Sequence, residues 1–147
     1  MRKYAPLVVT ASLSLAFAPA PLPKPDVVQE ELHKMQGTWA LASCVEAGQP
    51  LPASAEGIVV VIEGDRMTYR YRSSHTQWAM KLDVKRKPKS LDTQLDVRPG
   101  APVWPGAYDL QGDTLMICYT AAPGLRPDGL SPSKPGEVLH VLRRLRR

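Results

Sequence analysis

The spacing of apolar residues changes at Gly37. Before it, Val28, Leu32 and Met35 recur at helical intervals behind Asp26, whose carboxylate suits an N-cap, with Glu30 and Glu31 toward the N-terminal half. One short helix is predicted there, ended by Gly37. Beyond Gly37 the period is 2. Trp39, Leu41, Ser43 and Val45 share one face over residues 38–46, then Ile58, Val60 and Ile62 over 58–63, and Met67, Tyr69 and Tyr71 over 66–72. Trp78, Met80, Leu82 and Val84 alternate over 75–84, and Leu91, Thr93, Leu95 and Val97 over 91–98. Residues 104–111, 114–119 and 137–144 complete a set of eight strands. Gly64-Asp65, Ser73-Ser74 and Gly112-Asp113 are tight hairpin links, and residues 85–90 make a longer turn around Pro88. Short links make sequence neighbours into sheet neighbours. The pattern therefore predicts an all-β fold, an eight-stranded antiparallel up-and-down barrel with a short N-terminal helix, closed so that no strand edge is left bare.

Composition agrees with many turns: 15 Pro and 10 Gly in 147 residues suit short elements within one domain. The net charge of +5 comes from the ends, because Arg2, Lys3, Arg143, Arg144, Arg146 and Arg147 supply six of the 19 basic residues. The body of the chain is nearly neutral, which speaks against a nucleic-acid partner. Arg2 and Lys3, the mostly apolar residues 7–17 and the small residues after them have the layout of a secretory signal peptide, too short to span a bilayer. Ser14-Leu15-Ala16 offers a cleavage site without a following proline. The expected organisation is a signal peptide over 1–16, a proline-rich spacer over 17–25 and a barrel domain over 26–147, extracytoplasmic and without stable membrane insertion after cleavage.

Several segments carry a resemblance. Leu32 to Pro52, reading LHKMQGTWALASCVEAGQPLP, resembles the opening of an uncharacterised lipocalin-like domain family abundant in planctomycetes. Ile62-Glu63-Gly64-Asp65, Lys87 to Asp92, Ala107 to Tyr119, Arg126-Pro127 and Ser133 to Gly136 follow in the family's order. The resemblance implies a lipocalin-like barrel, often exported, with no established activity; Pro105 and Leu130 depart from the family's pattern. Gly37-Thr38-Trp39 also resembles the Gly-x-Trp opening of true lipocalins, which implies an indole plugging the closed end under a basic residue from the last strand. Arg143 or Arg144 would arrive there. Gly37, Trp39, Asp113 and Arg144 are thus expected to be structural, with Asp113 accepting backbone N–H bonds in its hairpin.

Catalytic and metal frames are missing. His33, His75 and His140 sit in no hydrolase or metalloprotease spacing, and no metal or cofactor motif occurs. Cys44 and Cys118 are expected to point outward on the first and seventh strands, separated by the eighth and unpaired. Lys85, Arg86, Lys87 and Lys89 read as a solvated basic turn. The open end holds the remaining signal: Tyr71, Trp78, Trp104 and Tyr119 are expected at one rim, crossed by the proline-rich link 120–136, whose Arg126 could hold an anionic head group at little consequence for stability. With Trp39, Ile62, Met67, Val84, Leu91, Leu110 and Leu115 inward below Leu41, Val60, Tyr69, Met80, Leu82, Leu95 and Ile117, the lower two-thirds are expected to be solid. The favoured function is a non-enzymatic structural or interaction module. The alternative is a carrier of a small apolar or amphipathic ligand.

Overall fold

The computed structural model describes residues 20–22, 24, 26–51, 57–95 and 98–146. The predicted signal peptide lies outside them, as do Val97 and most of the predicted spacer. The helix forms as the periodicity indicates: α1 spans Val27–Met35, and the Asp26 carboxylate accepts from the N–H groups of Val28 at 3.0 Å and Gln29 at 3.4 Å. It ends at Gln36, one residue before the glycine. The Gln36 side chain donates to the carbonyls of Leu32 (2.8 Å) and Gly64 (3.0 Å) and accepts from the N–H of Gly64 (2.6 Å). These bonds fasten the helix to the first hairpin of the sheet.

Among the described residues ten strands follow: β1 Gly37–Glu46, β2 Gln49–Pro50, β3 Val59–Glu63, β4 Arg66–Tyr71, β5 Ser74–Asp83, β6 Ser90–Leu95, β7 Val103–Trp104, β8 Gly106–Gln111, β9 Thr114–Thr120 and β10 Glu137–Arg144. Their pairings are antiparallel, in the order β10-β9-β8-β6-β5-β4-β3-β1, and β10 pairs with β1 to close the ring. Eight strands thus form a closed barrel, with β2 and β7 as two-residue additions. Alternation fixes what fills it. Trp39, Val60, Ile62, Met67, Leu91, Tyr108, Leu115 and Leu142 point inward and are almost wholly buried.

Two irregularities change side-chain directions that strict alternation assigns. A bulge between Leu41 and Ser43 reverses the parity of β1, so Cys44 and Glu46 turn inward where Ser43 and Val45 were expected. Cys44, only 8% exposed, joins the core. The second irregularity is Pro105, which has no N–H to give to the ladder. It interrupts a single strand into β7 and β8. Trp104 opposes Thr93 and Ala107 opposes Ser90 in one continuous register, which sets Pro105 opposite Asp92. A Cβ on Gly106 would come within 2.7 Å of the Leu91 carbonyl, so the strands approach there as only glycine allows.

Arg126 closes that gap. Its guanidinium donates to the Gly106 carbonyl at 2.9 Å and pairs with the Asp92 carboxylate at 2.8 Å. Asp92 lies between the inward Leu91 and Thr93 and therefore faces outward. The link after β9 accordingly folds back along the outer wall instead of crossing the mouth, with Gly124 N–H bonded to the Val103 carbonyl at 3.0 Å. Cys118, an outward residue of β9, has 0% exposure. The two cysteines are free, as expected, but for a different reason: they face opposite sides of the sheet with β10 between them. Burial raises both thiol pKa values, that of Cys118 to about 11.

The helix seals one end. Trp39 Nε1–H donates to the Met35 carbonyl at 3.0 Å, and the Arg144 guanidinium carbon lies 4.2 Å from the centre of the indole. Arg144 also donates to the carbonyls of Gln36 and Lys34, each at 2.6 Å, satisfying the helix C-terminus. Gly37, at φ +127°, leaves the space: a Cβ there would sit 3.2 Å from Arg144 Nη1. Asp113 receives the guanidinium groups of Arg146 and Arg144 rather than backbone N–H bonds. Those bonds hold its carboxyl below the usual carboxylate range. On the other side of the helix, buried Glu31 pairs with Lys89 at 2.8 Å and lies 3.4 Å from the Tyr108 hydroxyl. The two carboxylates of this seal, Glu31 and Asp113, thus each have a cation beside them.

Candidate functional site

At the other end the barrel is hollow. A cavity of about 550 Å³ opens where β1 and β9 finish and extends down to Met67, Leu91 and Ile117. Such volumes are typical of small-molecule sites, which occupy roughly 300 to 1,000 Å³. The expectation of a solid lower two-thirds is corrected here: Met67 and Leu91, assigned to the packed end, form the cavity floor. An eight-stranded barrel has room for its own side chains or for one small ligand. The side chains of the upper half do not fill it.

Three of the aromatic residues anticipated at the rim line the cavity: Trp78, Trp104 and Tyr119. Trp78 comes from the middle of β5, Trp104 from β7 just before the Pro105 break, and Tyr119 from β9. Tyr71 lies outside the lining. It ends β4, and the guanidinium of Arg72 stands 5.1 Å from its ring centre. Arg126 is outside as well, engaged with Asp92 and Gly106 on the outer wall, so the anionic head group proposed for it has no counterpart in the cavity. Thr76, Thr93 and Ala121 add small or hydroxylated surface, and Glu46 is the lining's one charged residue.

The polar centre of the cavity is a trio that motif reading passed over. His140 on β10 points inward between two tyrosines. Its Nδ1 lies 3.1 Å from the Tyr69 hydroxyl and its Nε2 lies 3.1 Å from the Tyr119 hydroxyl. The Tyr119 ring meets the imidazole edge-on at 84°, with centroids 5.1 Å apart, and the Tyr69 ring is tilted by 55° at 5.7 Å. Burial lowers the His140 pKa to about 4, so the imidazole is neutral at physiological pH. Burial likewise pushes both phenols above their ordinary value, with the Tyr119 and Cys44 groups adding to it at Tyr69 and the Cys44 and Glu46 groups at Tyr119. All three groups thus stay uncharged. The sequence did contain a signal for His140: placing Arg144 over Trp39 fixes by alternation that Leu142, His140 and Val138 share its inward face.

Neutral, hydrogen-bonding groups set into an aromatic wall suit recognition. Among the described residues no group of three or more His, Cys, Asp or Glu side chains is placed to hold a metal ion. No described helix is long and apolar enough to cross a membrane. Compared with family models, curated proteins and solved structures, the chain finds no match.

Proposed function

We propose that this chain is an exported, non-enzymatic, lipocalin-like binding protein that carries one small, largely apolar molecule in the open half of its barrel. The observation that supports it is the cavity of about 550 Å³ in a barrel whose other half is packed. A structural module gains stability from filling its interior, since each buried Leu or Ile contributes roughly 1.5 to 3 kcal/mol. Here Thr76, Thr93 and Ala121 stand at inward or rim positions where larger apolar residues would close the space. That choice reverses the order in which composition and alternation ranked the module and the carrier. Export rests on the basic start at Arg2-Lys3 and the apolar run over residues 7–17.

Titration with N-phenylnaphthylamine, a neutral apolar fluorophore, tests the binding role. One saturable site per chain, with energy transfer from Trp78 and Trp104, is expected. Absence of saturable binding by this probe would return the filled-module reading to first place.

A further inference from the structure

Three protons and two contacts define the trio. Tyr69 and Tyr119 each carry one O–H, and neutral His140 carries one N–H. Each of the two 3.1 Å contacts uses one proton. One is left over, and its owner follows from the geometry. With the ring proton on Nδ1, His140 donates to Tyr69 and Tyr119 donates to Nε2, which leaves the Tyr69 O–H free. With the proton on Nε2 the roles exchange and the Tyr119 O–H is free. In either tautomer one tyrosine hydroxyl that lines the cavity has a hydrogen to give. Neither hydroxyl has a second partner among the described residues.

The surrounding charge narrows what can accept it. Among the described residues the lining includes no Lys or Arg and Glu46 is its one charged residue, while Arg126, the guanidinium expected to hold an anion, is held by Asp92 and Gly106 outside the barrel. A carboxylate or phosphate would enter without a counter-charge and beside an acid, an arrangement that opposes binding. Trp78 and Trp104 offer flat apolar surface to a ring system. Resting on the binding role proposed above, we infer that the ligand is a neutral, ring-bearing molecule with a carbonyl oxygen, a ketone, lactone or quinone, which takes the spare tyrosine hydrogen.

The test uses acetylnaphthalene, ethylnaphthalene and naphthoate, three molecules of nearly one shape, titrated by quenching of tryptophan fluorescence against the wild-type chain and the variant Tyr69→Phe/His140→Leu/Tyr119→Phe. The variant removes the whole trio and leaves an apolar wall, so no unpaired polar partner remains. Ethylnaphthalene reports whether the pocket survives, and the ratio of the ketone's Kd to the hydrocarbon's cancels their different hydrophobicity. That ratio is expected to rise at least about tenfold in the variant, with the hydrocarbon's own Kd changed by less than about threefold. In the wild type, naphthoate should bind at least about tenfold more weakly than the ketone. A ratio unchanged within about twofold, or naphthoate binding as tightly as the ketone, overturns the carbonyl assignment while leaving the carrier in place. Failure of all three to bind the wild type overturns the carrier reading and this inference together. Should the variant not fold, the wild-type comparison of naphthoate with the ketone still decides the head-group charge.

Discussion

The two ends of the barrel solve the same problem in opposite ways. At the sealed end a helix lies across the opening, and each buried polar group is matched: the indole N–H by Met35, the helix carbonyls by Arg144, Glu31 by Lys89. At the open end, where the β1 bulge and the Pro105 break fall, the interior is left hollow and its polar trio has one hydrogen more than it has partners. One end is packed and the other is left open. The stability of the molecule should therefore be concentrated below the cavity floor, and substitutions in the two halves should separate stability from binding.

The largest effect belongs to the sealed end. Trp39→Ala deletes a fully buried indole, its bond to Met35 and the surface on which Arg144 rests, and should lower unfolding free energy by about 3 to 5 kcal/mol in urea denaturation. A loss below about 1 kcal/mol would mean that the helix seal contributes little.

Acid separates the halves next. His140 titrates near 4 when folded and near its ordinary 6.5 when unfolded, so the unfolded chain binds more protons between those values. Stability present above pH 6.5 is lost as pH falls toward 4, by roughly 3 kcal/mol. His140→Leu should flatten that limb of the stability profile. The ion pairs of Asp113, whose carboxyl is held below the ordinary range, persist to lower pH and weaken only as it titrates. A wild-type curve that is flat between pH 7 and 4 would contradict the burial of a neutral imidazole.

Arg126→Ala probes the seam between the halves and should lower stability by about 1 to 2 kcal/mol, because the Gly106 carbonyl and the Asp92 carboxylate both lose a donor at the point where Pro105 supplies none. Faster amide exchange confined to the strands flanking the break would locate the effect. Unchanged stability and exchange would reduce the guanidinium to a solvated surface group.

These corrections show what alternation can and cannot carry. Strand identity, order and closure were legible because one face of each strand is buried and the links are too short to allow other neighbours. The reversal in β1 was not, since a bulge inserts a residue without a compositional mark; Ala42 and Ser43 look the same on either face. In β10, Val138, Leu139, Val141 and Leu142 make both faces apolar, so the inward side of His140 follows only once Arg144 rather than Arg143 is set over Trp39, as the pairing with Leu41 and Leu115 shows. Arg126 was misread because a long link has no period: its course along the outer wall depends on a gap made by Pro105, 21 positions earlier in the chain. Trp78, Trp104 and Tyr119 were found because aromatic residues at strand positions near one rim converge by topology alone.

The hollowness of the upper barrel is tested most directly by filling it. Thr93 lies on β6 inside the cavity, opposite Met80 and Trp104. Thr93→Phe should raise the unfolding free energy by roughly 0.5 to 2 kcal/mol while weakening N-phenylnaphthylamine binding at least about tenfold, since the new ring occupies the ligand's volume. If the upper barrel is instead already full, the same substitution will overpack it, lowering stability by about 1 to 3 kcal/mol with no saturable probe binding to lose, and the division of the molecule into a packed end and a receiving end would be wrong.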